Sequence, residues 1–343
     1  MKRHLLFLAA LLIVNLAASA QKKFSVYAVG FYNQENLFDT CHDEGKKDYE
    51  YLPNKGWNGM KYTNKLRNMS KALADMGTDV LPNVGCAFIG LSEVENHKVL
   101  DALVDQAPLK ARNMKYVHIE GPDRRGIDCA LLYNPSLFSV KNVKLLPYVQ
   151  ELAKDSAFFT RGFLTVRGEM AGDDVAVIVC HWPSRFSGPF YRESAARQVK
   201  VIKDSLLNVN QEMKIFVMGD MNDDPVNKSM HVYLQAKPEI SQVGAGDMYN
   251  PWYNVLAKEG KGTLFYSGNW NLFDQIVITP NLLNKDAKKK DYSSLKYWKS
   301  HIFRRDYLIQ QEGQYKGAPL RTTAGGRWLN GYSDHLPVVM YLV

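Results

Sequence analysis

The chain predicts an α/β fold in which two mixed or antiparallel sheets pack face to face with helices outside. Three observations lead there. Short apolar runs alternate with amphipathic stretches along all 343 residues, without an internal repeat or a Pro- or Ser-rich linker. Several runs are joined by fewer than the dozen or so residues that a parallel crossover takes, so much of the pairing is antiparallel. With 46% hydrophobic residues, the chain can fill one full-sized core.

In chain order, residues 1–20 (MKRHLLFLAALLIVNLAASA) read as a secretory signal: Lys2 and Arg3, an apolar run from Leu5 to Leu16, and small residues to Ala20, with cleavage before Gln21. The run is shorter than the roughly 20 residues of a spanning helix, and no later stretch is long enough to cross a bilayer. Residues 21–343 are expected to form a single exported catalytic domain, periplasmic or secreted, and a monomer. Without Lys2 and Arg3 the 43 basic residues become 41 against 35 acidic ones, a modest excess that permits nucleic acid without demanding it.

The strand candidates are FSVYAVGFYN, AFIGLSEVE, MKYVHIEG, DCALLY, FLTVRGEM, VAVIVCHW, KIFVMGD, FDQIVIT and HLPVVMYLV. Helices are expected over 62–76, where Leu66, Met69, Leu73 and Met76 share a face before Gly77, and over 190–207, where Tyr191, Ala195, Val199, Ile202 and Leu206 do. Cys41, Cys86, Cys129 and Cys180 lie far apart with no C-x-x-C pair. Cys129 and Cys180 sit inside apolar runs and read as small buried residues, which argues against a disulfide framework or a zinc site.

Polar residues collect where strands begin and end. Asn33 and Glu35 close the first strand, Glu93 closes IGLSE, His181 closes VAVIVCH, and Asp220 and Asn222 close KIFVMGDMN; Asp274 opens FDQIVIT, and Asp334 and His335 open the last strand. Singly, each reads as a turn former, a cap or a solvated strand end. Together, six segments deliver carboxylate, amide and imidazole groups that one rim could gather. Such a set suits Mg²⁺, with Mn²⁺ or Ca²⁺ as alternatives, and an ion of that kind beside histidines suits a phosphate ester.

On these residues the chain resembles the endonuclease/exonuclease/phosphatase superfamily, the DNase I-like phosphoesterases, from the N-x-E-N-L-F-D segment at Asn33 through GDMN to SDH-x-PV at Asp334. The resemblance implies a four-layered α/β sandwich with its active site at one rim. It implies Glu93 as principal metal ligand, with Glu35 and Asp334 around the cation and Asn33 at the phosphate. It implies His335 on the scissile phosphate oriented by Asp274, Asp220 and Asn222 positioning water and phosphate, and His181 as general acid. Asp128 is the candidate carboxylate partner of His181.

Arg124, Arg125, Arg161 and Arg185, with Trp182, Tyr191 and Trp270, are candidates to hold a nucleic-acid backbone, Arg185 at a phosphate. A nuclease acting on DNA or RNA is the first expectation. A phospholipid, sphingomyelin or phosphoinositide phosphoesterase is the second, and a non-catalytic scaffold the third.

Overall fold

A computed structural model describes residues 24–151, 158–286 and 288–343; the signal segment 1–20 lies outside them. Two large sheets dominate. The first runs in the order Tyr297–Ile302, Val338–Leu342, Tyr27–Leu37, Phe88–Val94, Asp128–Tyr133, Lys115–His118. The second runs Ser139–Leu146, Phe163–Met170, Asp173–His181, Lys214–Asp220, Asp274–Ile278, Met248–Tyr249, Ala236–Lys237. Both are mixed, because Tyr27–Leu37 pairs parallel with Phe88–Val94 but antiparallel with Val338–Leu342, and Asp173–His181 pairs parallel with Lys214–Asp220 but antiparallel with Phe163–Met170.

Alternating side chains build four layers. Along the first strand Val29 and Phe31 point to the core between the sheets, while Ala28 and Tyr32 pack outward beneath the helices Gly59–Asp75 and His97–Val104. In the second sheet Val175, Val177 and Val179 face inward, and Ala176, Ile178 and Cys180 face the helix Pro189–Val209. A strand covered on both faces needs apolar residues at every position, hence the unbroken run VAVIVC. The sandwich expected from the sequence is thus the one found.

Both helices start earlier than expected, the first ending one residue short of its expected end and the second two residues past it. Gly59–Asp75 starts one residue after Asn58, whose side chain accepts the Lys61 amide at 3.1 Å, and stops before Gly77 at φ +81°. Pro189 opens the other long helix at a position where its missing amide has no partner to lose. The last strand begins at Val338 and not at His335, since Pro337 cannot donate to a ladder. Two edge strands, Ser139–Leu146 and Tyr297–Ile302, have no counterpart in the sequence reading. Half-exposed edges carry Lys and Ser in place of clean alternation. Among the described residues no helix is long and apolar enough to cross a membrane.

Candidate active site

Two bulges aim the first sheet's acids at the rim. The ladder between Tyr27–Leu37 and Phe88–Val94 shifts register between Asn33 and Leu37, and the ladder between Phe88–Val94 and Asp128–Tyr133 skips Glu93. An extra residue in a strand turns its side chain out of the pleat. The backbone is correspondingly strained: Glu35, Asn36, Glu93 and Asn222 have φ of +45°, +56°, +61° and +49°. Each such residue costs on the order of 1–3 kcal/mol, which the surrounding ladder must offset. Glu93 is held in place by the Asn36 amide, which donates to Oε2 at 2.9 Å. The carboxylate ending IGLSE therefore belongs to a bulge that points into a site.

The second sheet sets three more groups abreast. Parallel register places His181 beside Asp220, and antiparallel register places Asp220 beside Asp274. His335 comes from the turn before Pro337, with Nδ1 2.7 Å from Asp274 Oδ2. Ser333 fixes that turn: its hydroxyl donates to the Asn33 carbonyl at 2.8 Å and accepts the His335 amide at 3.1 Å. Asn33 Nδ2 donates to Asp220 Oδ2 at 3.0 Å and the Asn222 amide to Oδ1 at 2.9 Å, while Asn222 Nδ2 bonds the Trp182 carbonyl at 2.9 Å. Asn33, Glu93, His181, Asp220, Asn222, Asp274 and His335 thus meet at one rim. Glu93, His181, Asp220, Asn222 and His335 line an open cavity of about 360 Å³.

Burial separates the two histidines. For His335 burial alone lowers the pKa, but Asp274 and Asp220 outweigh it and hold the ring well above its ordinary value, as an imidazolium. His181 is pushed well below by burial and by the charges of Arg161, Arg125 and His335, so it is neutral. A neutral imidazole keeps one N–H and offers its other nitrogen as a lone pair, the form in which histidine can meet an ion. Burial pushes Asp220 up to about 7; His335 opposes this, and Asp274 and Glu93 add to it.

The donors fit a divalent ion. One ligand atom each from Glu93, His181 and Asp220 lies within 4.8 Å of the other two. His181 Nε2 stands 3.8 Å from Glu93 Oε1 and 3.6 Å from Asp220 Oδ2, too far for good hydrogen bonds. Ligands at about 2.0–2.1 Å from one ion are separated by about 3–4 Å, the range in which both distances fall. Of the three ligands expected from sequence, only Glu93 belongs to this trio. Glu35 Oε2 accepts the Thr322 amide at 2.6 Å, and Arg321 bridges Glu35 at 3.4 Å and Asp334 at 3.0 Å. Arg321 Nη2 thus holds the Asp334 carboxylate, whose Oδ1 lies 4.0 Å from His335 Nε2.

Other expectations are revised by the same geometry. Asp128 accepts from His118 at 3.0 Å and from the Gly121 amide at 3.0 Å, and is not the partner of His181. His181 Nδ1 is buried with no hydrogen-bond partner among the described residues. Arg185 gives its donors to protein: to the Asn222 carbonyl at 3.2 Å, Asn271 at 3.2 Å, Asp224 at 2.9 Å and Asn227 at 3.2 Å. Trp182 is buried in the core beneath Pro189–Val209 and offers no face to a ligand, while Trp270 is half-buried with its ring 5.2 Å from that of Phe265. Arg321 and Lys65 went unnoticed in the sequence. Lys65 is wholly buried and donates to Thr322 and to the Tyr332 carbonyl, both at 2.5 Å, with burial pushing its pKa down to about 8 against the pull of Glu35, Asp334 and Glu93. A lone lysine inside an amphipathic helix carries no signal of that role.

A carboxylate–imidazole cluster ready for an ion, on the rim of a four-layered sandwich, defines a phosphoesterase class. The family profile described as "Endonuclease/Exonuclease/phosphatase family" matches residues 28–343, and the chain belongs to that family, a superfamily of phosphoesterases. Solved structures agree in fold. A mannosyl-6-phosphatase of Bacteroides thetaiotaomicron is 14% identical, with TM-score 0.56 over 92% of this chain and 99% of that one. An endonuclease/exonuclease/phosphatase family protein of the same organism is 14% identical, with TM-score 0.55 over 93% and 95%. D. rerio TDP2, complexed with single strand DNA product, is 11% identical, with TM-score 0.53 over 93% and 99%. At such identities the likeness is one of fold. No curated protein matches the chain.

Proposed function

We propose that this chain is an exported, Mg²⁺-dependent phosphodiesterase that hydrolyses the nucleic-acid backbone, its signal removed after Ala20 and residues 21–343 acting as one catalytic domain. The observation that carries the reading is the meeting of Glu93, His181, Asp220 and the His335–Asp274 pair at one cleft. Glu93 would hold the ion, with Asp220 and neutral His181 at its edge; the ion would supply positive charge that polarises the phosphate. Asp220, whose carboxyl burial pushes upward, takes the proton of the attacking water. The His335 imidazolium, oriented by Asp274, pairs with the phosphate oxygens and offers a proton to the leaving oxygen. Asn33 and Asn222 keep Asp220 aligned.

A phosphomonoester on a sugar is the second reading. The mannosyl-6-phosphatase neighbour supports it, together with a cavity of about 880 Å³ beside Asp334 and Arg321, lined by Phe265, Tyr266, Tyr315 and two glutamines. Purified protein is assayed with and without Mg²⁺ against DNA, RNA, mannose 6-phosphate and phospholipid. Ion-dependent cleavage of the strands is expected. Phosphate or head-group release without strand cleavage overturns the nuclease reading.

A further inference from the structure

We infer that Phe186, with Phe159, forms a stacking platform for an unpaired nucleobase next to the scissile phosphate, so that the enzyme prefers single-stranded substrate; this rests on the nuclease reading above. Phe186 is 99% exposed and Phe159 52% exposed. Three phenylalanines are exposed among the described residues, and two of them line the cavity that holds Glu93, His181, Asp220 and His335. A single apolar side chain in water is ordinary; two rings at the mouth of one catalytic cavity require a reason.

The ring is presented by a pinned turn. Phe186 occupies a single helical turn, Arg185–Ser187, which the side chains of Arg185 and of Arg192 from the following helix hold in place. Arg185 ties the turn to Asn222, Asp224, Asn227 and Asn271. The buried Arg192 ties the Ser184 and Gly188 carbonyls together at 3.0 and 3.1 Å. The backbone under Phe186 is therefore fixed relative to Asn222 and Asp220, although its ring touches little. A fixed backbone limits where the exposed ring can be presented and so lowers part of the ordering cost of whatever lands on it.

Charge around the rings suits a strand. Arg125 lines the same cavity with its side chain half exposed and its Nε no closer than 3.9 Å to Asp123. The Arg124 guanidinium lies 5.4 Å from the Phe159 ring centroid. Aromatic rings that alternate with guanidinium groups along a groove are how proteins hold single strands: cations follow phosphates and flat rings take bases, which a duplex keeps stacked within itself. A lipid surface is less well matched, because apart from Phe158 and Pro183 the remaining wall is polar or charged, with Arg125, Thr160, Arg161, Ser184 and Ser187.

The full-length protein, with Mg²⁺, is assayed on a single-stranded oligodeoxynucleotide, its duplex, and the same strand carrying abasic sites beside one phosphate. Phe186→Ala, which removes no packing, is expected to raise KM on the base-bearing strand about 5- to 150-fold, the loss of one base–aromatic stack. The rise on the abasic strand is expected to be smaller, and Phe186→Trp to restore the wild-type value. An unchanged KM, equal losses on the two strands, or an effect confined to binding of phosphatidylcholine vesicles overturns the inference while leaving the nuclease reading intact. Failure of the wild type to cut any strand overturns both.

Discussion

Replacing Asp274 with Asn isolates the work of one carboxylate. Asp274 is wholly buried and its Oδ2 lies 2.7 Å from His335 Nδ1, while the His335 side chain is 7% exposed, so solvent screens the pair little. A hydrogen bond to a charged group is worth about 1.5–3 kcal/mol. If that stabilisation is felt in the transition state, Asp274→Asn lowers kcat by about 10- to 150-fold, since about 1.4 kcal/mol is one decade of rate. The same change lets the His335 pKa fall, because burial is then opposed by Asp220 with less help. Two measurements apply: the pH–rate profile, whose alkaline limb should move to lower pH, and the His335 ring signal in a proton NMR titration. Stability follows the sign of the shift. A histidine raised in the fold contributes fully below its ordinary value near 6.5, and that contribution is lost as pH rises through the higher folded value. Wild-type stability should therefore decline over that alkaline range, and the decline should flatten in Asp274→Asn. A variant with wild-type kcat and an unmoved alkaline limb refutes the assignment of Asp274 as the group that keeps His335 charged.

Two further substitutions test the ion site and the strand that supports it. Glu93→Gln removes a charge but little volume, so circular dichroism should be unchanged while Mn²⁺ affinity by isothermal titration falls and turnover drops by at least about 10²-fold; unchanged ion binding would remove Glu93 from the site. Gly219 pairs with Cys180 across a parallel ladder, and a Cβ there would stand 2.2 Å from the Cys180 carbonyl oxygen. Gly219→Ala is expected to cost about 2–3 kcal/mol and several degrees of Tm, and to lower activity by shifting neighbouring Asp220; a wild-type melting curve contradicts it.

Much of the site was legible in the sequence because each of its groups sits where a strand meets a rim. Asn33, Glu93, His181, Asp220, Asn222, Asp274 and His335 all fall at ends of apolar runs, and the structure brings all seven together. Some contacts leave no local trace. Glu35 and Asp334, which the resemblance implies around the cation, are both bonded by Arg321, far along the chain in a segment without periodic pattern. The resemblance implies His181 as general acid, and no sequence pattern shows that burial beside Arg161 and Arg125 lowers its pKa. Trp182 was read as a contact surface for its aromatic character; its neighbour four residues on, Phe186, is the ring in solvent.

The order of apolar runs, their alternation and the residues that end them sufficed for two sheets, helices outside and a rim rich in carboxylate and imidazole, because those properties follow from local periodicity. Which oxygens meet, which histidine carries a proton and which arginine is already bound could come only from the tertiary structure. Those depend on bulges that turn Glu93 by one position and on distances between residues more than a hundred apart, and neither leaves a periodic trace in the chain.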